Sequence, residues 1–404
     1  MKRVLAAITA DGKEARFVGG CVRDALLGRP VTDVDIATPE TPDRVMALLE
    51  AAGIKALPTG IEHGTVTAVI AGETCQITTL RRDVSTDGRR AAVAFTEDWR
   101  ADAERRDFTF NTLSATPDGM VYDYFNGRQD LNDRVIRFVG DAGERIEEDR
   151  LRVLRFFRFI GTLDMRIARE GDLEACIRAA PRLTELSRER IRDEMMKILS
   201  SEMHSDVIRM MRDNGILEHI LPEIGEPAAL DRLKWLETAA TGLESVRPDP
   251  IRRLACLLDT DDEGFESVCR NLVLTNKEKR RLEALRHPGW RADPEVSEAD
   301  FERVLQRLGP EIALDLILIG WARSLAEAHG QPPGHAGKWR ALIARTESWE
   351  AKVFPLNGHD VMALGIEEGP DVSGHLAAVE AWWEEGGFTA DRAACLARLK
   401  QEVG

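Results

Sequence analysis

Asp33 and Asp35, one residue apart in TDVDIAT, are a pair of side chains suited to holding a metal ion. Side chains along a strand alternate faces, so the spacing predicts both carboxylates on one side and Val34 turned into a core. Carboxylates that close repel each other and favour a divalent cation between them, with Mg²⁺ the usual oxygen-seeking choice. Alone, the pair reads equally well as two solvated acids at a strand end. The preceding GGCVRD shifts that balance. Gly19 and Gly20 permit close backbone approach, N–H groups at the helix start face the carboxylates, and Arg23 lies one turn in. Metal ligands beside backbone donors and an arginine suit a nucleoside triphosphate, whose phosphates the metal bridges while activating an attacking hydroxyl.

Two further segments carry polar groups at useful spacings. In ERRDFTFN, residues 104–111, Phe108 and Phe110 are expected to be buried between polar neighbours. Arg105 or Arg106 suits a phosphate, and Asp107 a ribose hydroxyl, with Asn111 beside them. A surface salt-bridge cluster would have the same composition. In EEDRLRVLRFFRF, residues 147–159, a continuous helix is expected to place Asp149, Arg152, Arg155 and Arg158 on one slowly drifting stripe. An aspartate accepts from an exocyclic amine while an arginine donates to ring acceptors. Such a pair can read the Watson–Crick edge of cytosine or adenine without a nucleic-acid template. A ladder of ion pairs is the plainer reading, and the interleaved Phe156, Phe157 and Phe159 weigh against it.

The elements that must position these groups are short strands and helices over the first 140 residues. FVGG, VDIAT, TVTAVI, CQITTL and AAVAFT are predicted strands, rich in Val, Ile and Thr. GGCVRDALLGRP is a helix stopped by Gly28 and Pro30. From about Glu144 the apolar spacing is helical almost throughout. The fold class is therefore α+β: a head with a mixed sheet and helices, then an all-α neck, body and tail. The expected domains are 1–140, 141–200, 201–330 and 331–404, with joints in ESVRPDPI (244–251), HPGWRADPEV (287–296) and HGQPPGHAGK (329–338).

A chain of 404 residues that is 43% hydrophobic can bury several cores. No apolar run reaches the roughly 18 residues of a membrane helix, and no secretory signal is recognisable. The six dispersed cysteines read as reduced thiols, so the expected compartment is the cytoplasm. The net charge of −15 argues against nucleic acid, yet residues 1–200 hold 31 Lys+Arg against 34 Asp+Glu, with 24 against 36 in the rest. In the acidic half, NKEKRR (276–281) is the best basic patch or simply a solvated helix start.

Together, in order and spacing over residues 16 to about 200, these segments resemble the motifs of class II tRNA nucleotidyltransferases, the CCA-adding enzymes of the polymerase β-like superfamily. The resemblance implies Asp33 and Asp35 as catalytic metal ligands for Mg²⁺, with Gly19, Gly20 and Arg23 at the triphosphate. It implies ribose and phosphate contacts from Arg106, Asp107 and Asn111. Asp149 and Arg152, flanked by Arg155 and Arg158, would form a protein template selecting CTP and then ATP. SRERIRDEMMKIL (187–199) is similar to the helix that supports that template, and residues 81–99 to a loop that switches specificity. The implied reaction adds C, C and A to the 3′ end of tRNA and releases pyrophosphate, with no membrane and no obligatory protein partner. Relatives often carry a glutamate where this chain has Gln76, so only the aspartate pair is expected to bind metal. A poly(A) polymerase, an enzyme adding A alone, and a non-catalytic RNA-binding protein on the same scaffold are the alternatives.

Overall fold

The computed structural model describes residues 1–70, 72–86, 91–240, 246–327 and 335–403. Two compact units divide them: Met1–Ile224 with Asp261–Val273, and Gly225–Thr260 with Leu274–Gly404. The expected domain boundaries at 140/141 and 200/201 both fall inside the first unit. Parts of the expected joints 244–251 and 329–338 lie outside the described residues.

The first unit is built on a seven-stranded mixed sheet. Its strands are β1 (Arg16–Val18), β2 (Asp35–Thr38), β3 (Lys55–Gly60), β4 (Thr65–Ile70) and β5 (Glu73–Thr79), joined after the separate pair β6 (Arg81–Thr86) and β7 (Ala91–Phe95) by β8 (Ser114–Ala115) and β9 (Val121–Tyr122). The order is β3-β4-β5-β2-β1-β8-β9, in which β2 and β5 run parallel and all other neighbours antiparallel. One sheet face buries Ile36, Val66, Cys75 and Ile77 with Val4 and Ile8 of helix α1 (Lys2–Ile8). Val45 and Leu49 of α3 (Pro42–Ala51) complete that core, and between these two helices in the chain lies α2 (Gly20–Leu26). Side-chain alternation then puts Asp35 and its cross-strand neighbour Gln76 on the opposite face.

The 81–99 segment is the antiparallel pair β6 and β7 followed by the start of α4 (Trp99–Glu104); residues 87–90 lie outside the described residues. Next come α5 (Gly127–Asn132), α6 (Ala142–Glu148), α7 (Leu151–Leu163), α8 (Glu170–Ala179), α9 (Arg188–Ser200) and α10 (His204–Asp213). An aromatic cluster seats α7 on the ERRDFTFN segment. Phe108 lies 4.8 Å from Phe138, Phe138 stacks on Phe156 at 5.6 Å, and Phe110 meets Phe159 edge-on at 5.2 Å. Phe108, Phe110, Phe138 and Phe156 are fully buried, as the spacing required of the first two.

Two local expectations need correction. The strand begins at Asp35, so Asp33 sits in the preceding loop, although the Val34 carbonyl already accepts from the Gln76 N–H at 3.2 Å. Residues 147–159 are not one helix. α6 ends at Glu148, Asp149 is extended (φ −153°, ψ 106°), and α7 starts two residues later. The cause is a short polar side chain: the Asp149 Oδ1 accepts the Leu151 N–H at 3.1 Å, replacing a helical carbonyl with a cap.

The second unit is helical. Trp321 stacks on Trp339 at 6.0 Å in one core, while Trp383 packs with Val361, Val379 and Leu399 in another. Among the described residues no helix is long and apolar enough to cross a membrane.

Candidate active site

A cavity of about 900 Å³ in the first unit collects all twelve expected site residues. At one end, β1 delivers the chain to Gly19, whose φ of 71° is left-handed. A Cβ there would stand 2.8 Å from the Arg106 Nη1 and push that guanidinium aside, so the backbone conformation calls for glycine and a larger residue would also displace Arg106. Gly20 opens α2, and Arg23 one turn later forks onto Asp24 at 2.8 Å while its Nη1 donates to the Asn111 Oδ1 at 2.9 Å. Asp33 is exposed and Asp35 half-buried. Burial pushes the Asp35 carboxyl above its ordinary pKa; Arg106 opposes this and Asp33 adds to it. Among the described residues, the Asp35 carboxylate accepts no hydrogen bond. It is therefore available to a cation.

The middle of the cavity is held by Asp107, 6% exposed. Its Oδ2 accepts from the Arg155 Nε at 2.7 Å, and its Oδ1 from the Asn111 Nδ2 and the Phe108 N–H, both at 2.9 Å. Burial alone would raise this carboxyl, but Arg155 and the hydrogen bonds outweigh it and hold the pKa at about 2. Asp107 thus positions Arg155 and Asn111. Asp107→Asn should cost about 2 kcal/mol near neutral pH. The folded pKa lies below the unfolded value of about 3.9, so this contribution is complete above pH 4 and fades as pH falls towards 2. Urea unfolding of both proteins at pH 6 and pH 2.5 checks it: the gap between them should narrow at the lower pH.

At the far end Asp149 and Arg152 face the cavity from the α6–α7 junction. The Asp149 Oδ2 pairs with the Arg190 Nη2 at 2.8 Å. The Arg152 Nη1 donates to Glu148 at 2.6 Å and to the Arg145 carbonyl at 2.9 Å, and its Nη2 to the Arg105 carbonyl at 2.8 Å. Arg158 meets the buried Glu194 at 3.2 Å, and burial pulls its guanidinium down to about 10 despite that partner.

Sequence reasoning missed Asp102, Arg190 and Glu194. Asp102, 4% exposed, pairs with Arg105 at 2.8 Å and Arg106 at 3.2 Å, aiming both. Its i,i+3 and i,i+4 spacing was a readable signal. Arg190 and Glu194 are one turn apart on α9, but their partners lie 41 and 36 residues away in the chain, which local spacing cannot reveal.

Taken together, the cavity offers two carboxylates at one end, arginines along its wall and an Asp/Arg pair at the other. It can neutralise a polyphosphate, hold a sugar and test a base edge.

The family model described as the poly A polymerase head domain matches residues 15–137, and that described as the probable RNA and SrmB-binding site of polymerase A matches 170–226. The chain is 33% identical to the mouse mitochondrial CCA tRNA nucleotidyltransferase 1 over 99% of its length and 90% of the mouse protein. It is 41% identical to the CCA-adding enzyme of Streptococcus sanguinis, over 99% and 96% of the two chains. The structure of the Bacillus stearothermophilus CCA-adding enzyme in complex with CTP superposes with a TM-score of 0.78 at 27% identity, over 99% and 96% of the two chains. With an ordered motif set, a polymerase-type head and relatives aligned end to end, this chain belongs to the CCA tRNA nucleotidyltransferase family and is a nucleotidyltransferase.

Proposed function

We propose that the cavity binds CTP or ATP, that the 3′ hydroxyl of tRNA attacks the nucleotide α-phosphate and that pyrophosphate leaves, so that C, C and A are added in turn without a nucleic-acid template. The observation that carries this reading is the single cavity joining Asp33 and Asp35 to Asp149 and Arg152.

The donor set at Asp33 and Asp35 fits Mg²⁺. Among the described residues no cluster of three or more acidic, His or Cys side chains offers a complete cage. Mg²⁺ is commonly held by one or two carboxylates and completed by phosphate oxygens and water. Bound there, it would neutralise phosphate charge and make the attacking hydroxyl more acidic. Gly19 and Gly20 leave room for phosphates against the backbone, and Arg23 and Arg106 face them. Arg155 and Asn111, fixed by Asp107, orient the ribose. Catalysis by these groups is positioning and charge neutralisation, with no covalent enzyme intermediate.

Base selection follows from the bonds at the far end. Asp149 is tied to Arg190, and Arg152 to Glu148 and two carbonyls. A nucleobase must return at least as much hydrogen bonding as it displaces, and only an edge with an amine for Asp149 and ring acceptors for Arg152 does so. Asp149→Ala should therefore lower discrimination against UTP and GTP by about tenfold to a hundredfold, one to two hydrogen bonds' worth. Purified protein, Mg²⁺, each labelled nucleotide and tRNA transcripts lacking CCA, CA or A provide the assay. Sequential C, C and A with termination supports the function. A long A tail, or A addition alone, would replace it with an alternative, and unaltered base choice in Asp149→Ala would remove the template role.

The six buried cysteines form no disulfide and suit a reducing compartment, which we read as the cytoplasm, although the mouse relative is mitochondrial by name.

A further inference from the structure

A second cavity, of about 550 Å³, adjoins the nucleotide cavity and shares Arg29, Thr162 and Lys197 with it, so the two are lobes of one trough. α7 and α9 run side by side along it. Asp149 pairs with Arg190 at the template end and Arg158 with Glu194 midway, while Gly161 lies against Ser201 at the other end. Moving past the ribose-positioning groups, the trough leads to Arg29 and Lys197, and then to Arg192 on the neighbouring face of α9.

These three cations are held in different ways. Arg29 projects from the loop after α2 and is anchored by one Nη1 bond to the Thr162 carbonyl at 2.6 Å, leaving its Nε and Nη2 without a partner among the described residues. Lys197 is 55% exposed, and its Nζ lies 3.8 Å from a Glu194 carboxylate already committed to Arg158. Arg192 is braced through its Nη1 to the Leu272 carbonyl at 3.1 Å. Asp193 and Glu202 are the acids along the same wall, so cations exceed them. The hydroxyls of Thr162, Ser200 and Ser201 donate to helix carbonyls, which leaves Arg29 and Lys197 as side-chain donors for an anion, with Arg192 adding its charge beside them.

We propose that Arg29, Lys197 and Arg192 form a phosphate subsite that holds a phosphodiester of the RNA primer next to its reacting 3′ end. This rests on the nucleotidyl-transfer reading above. That reaction must bring one polyanion against another beside two carboxylates, and cations placed beside the primer backbone offset part of the mutual repulsion. The other phosphate the reaction handles is the leaving pyrophosphate, which the same chemistry would accept, and the test separates the two.

The test compares wild type with Lys197→Gln, Arg29→Gln and their double variant in the full chain. Lys197→Gln alters an exposed ammonium and is compatible with folding, and Lys197→Arg serves as charge-conserving rescue. Two quantities are read: affinity for a fluorescent tRNA lacking its terminal A, measured without nucleotide across a salt series, and steady-state constants for RNA and ATP with pyrophosphate as product inhibitor. The double variant should bind the RNA about tenfold more weakly and lose one to two units of salt slope. Its KM for RNA should rise in parallel, that for ATP should stay within twofold, and Lys197→Arg should behave as wild type. Unchanged RNA affinity with weaker pyrophosphate inhibition would overturn the primer assignment. Unchanged RNA affinity and unchanged inhibition would reduce the lobe to a surface cleft. Both results leave nucleotidyl transfer standing, whereas a wild-type protein that neither binds the RNA nor incorporates nucleotide would overturn the wider reading as well.

Discussion

Asp35→Ala should reduce nucleotide incorporation on the order of 10³-fold or more while leaving the first unit at least as stable as before. The two halves of this expectation have one cause. Asp35 is half-buried at the start of β2, burial raises its pKa, Asp33 is close enough to raise it further, and its carboxylate accepts no hydrogen bond among the described residues. A group in that state costs folding energy, and removing it relieves the cost. On the function proposed above, its value lies in the negative charge it offers a cation bound with the triphosphate, and several kcal/mol of transition-state stabilisation correspond to about 10³-fold in rate. Incorporation of labelled ATP into tRNA lacking its terminal A, beside thermal unfolding of the same preparation, measures both. Retention of a tenth of the activity, or a loss of stability matching the loss of activity, would remove Asp35 from the centre of the chemistry.

The sequence made parts of this site readable where the chemistry is local. The Val, Ile and Thr content of TVTAVI and CQITTL marked β4 and β5, and the glycine pair before CVRD marked the turn that brings backbone to one end of the cavity. β3 escaped notice because KALPTG contains Pro58, which suits an edge strand with one unpaired side but not a central one. The break at Asp149 escaped because a two-residue interruption leaves the 3.6-residue spacing on both sides almost intact. Its cause is a side-chain cap, invisible to periodicity. Arg190 and Glu194 escaped for a different reason: their charge partners are fixed by how α9 lies on α7, a tertiary property. NKEKRR shows the same limit from the other side. The run opens a capped helix, Thr275 forming the capping box with Glu278, but its last member is no surface cation: Arg281 turns into the core of the second unit.

Arg281 leads to the largest stability effect expected in the molecule. Asp315, fully buried within the apolar run LDLILIG, accepts from the Arg252 Nε at 2.7 Å and from the Arg281 Nε and Nη2 at 2.7 and 3.0 Å. Glu237 takes the other side of Arg252 and the neighbouring Arg253, each at 2.8 Å, and Asp249 takes the Arg281 Nη1 at 2.9 Å. Three arginines meet these three carboxylates, with the exposed Glu311 3.4 Å from Arg281 as a fourth, tying the segments Leu236–Ala240, Pro250–Leu257, Asn276–Arg286 and Glu298–Glu327 together. Removal is costly because Asp315→Ala takes the fully buried carboxylate from the Arg252 Nε and from the Arg281 Nε and Nη2, leaving Glu237 and Asp249 to hold the other sides of the two guanidinium groups, and breaking a buried pair from one side costs about 3–5 kcal/mol. Against a typical total of about 5–15 kcal/mol, that is enough to melt the second unit at temperatures the wild type tolerates. Asp249→Ala should cost far less, because Asp249 lies nearer the surface and Arg281 keeps Asp315. Hydrogen exchange along Pro250–Leu257 and Asn276–Arg286, with urea unfolding of both variants, measures the difference. A loss below about 1 kcal/mol for Asp315→Ala would mean that water or rearranged side chains satisfy the two arginines, and that the cluster is not what fixes these helices.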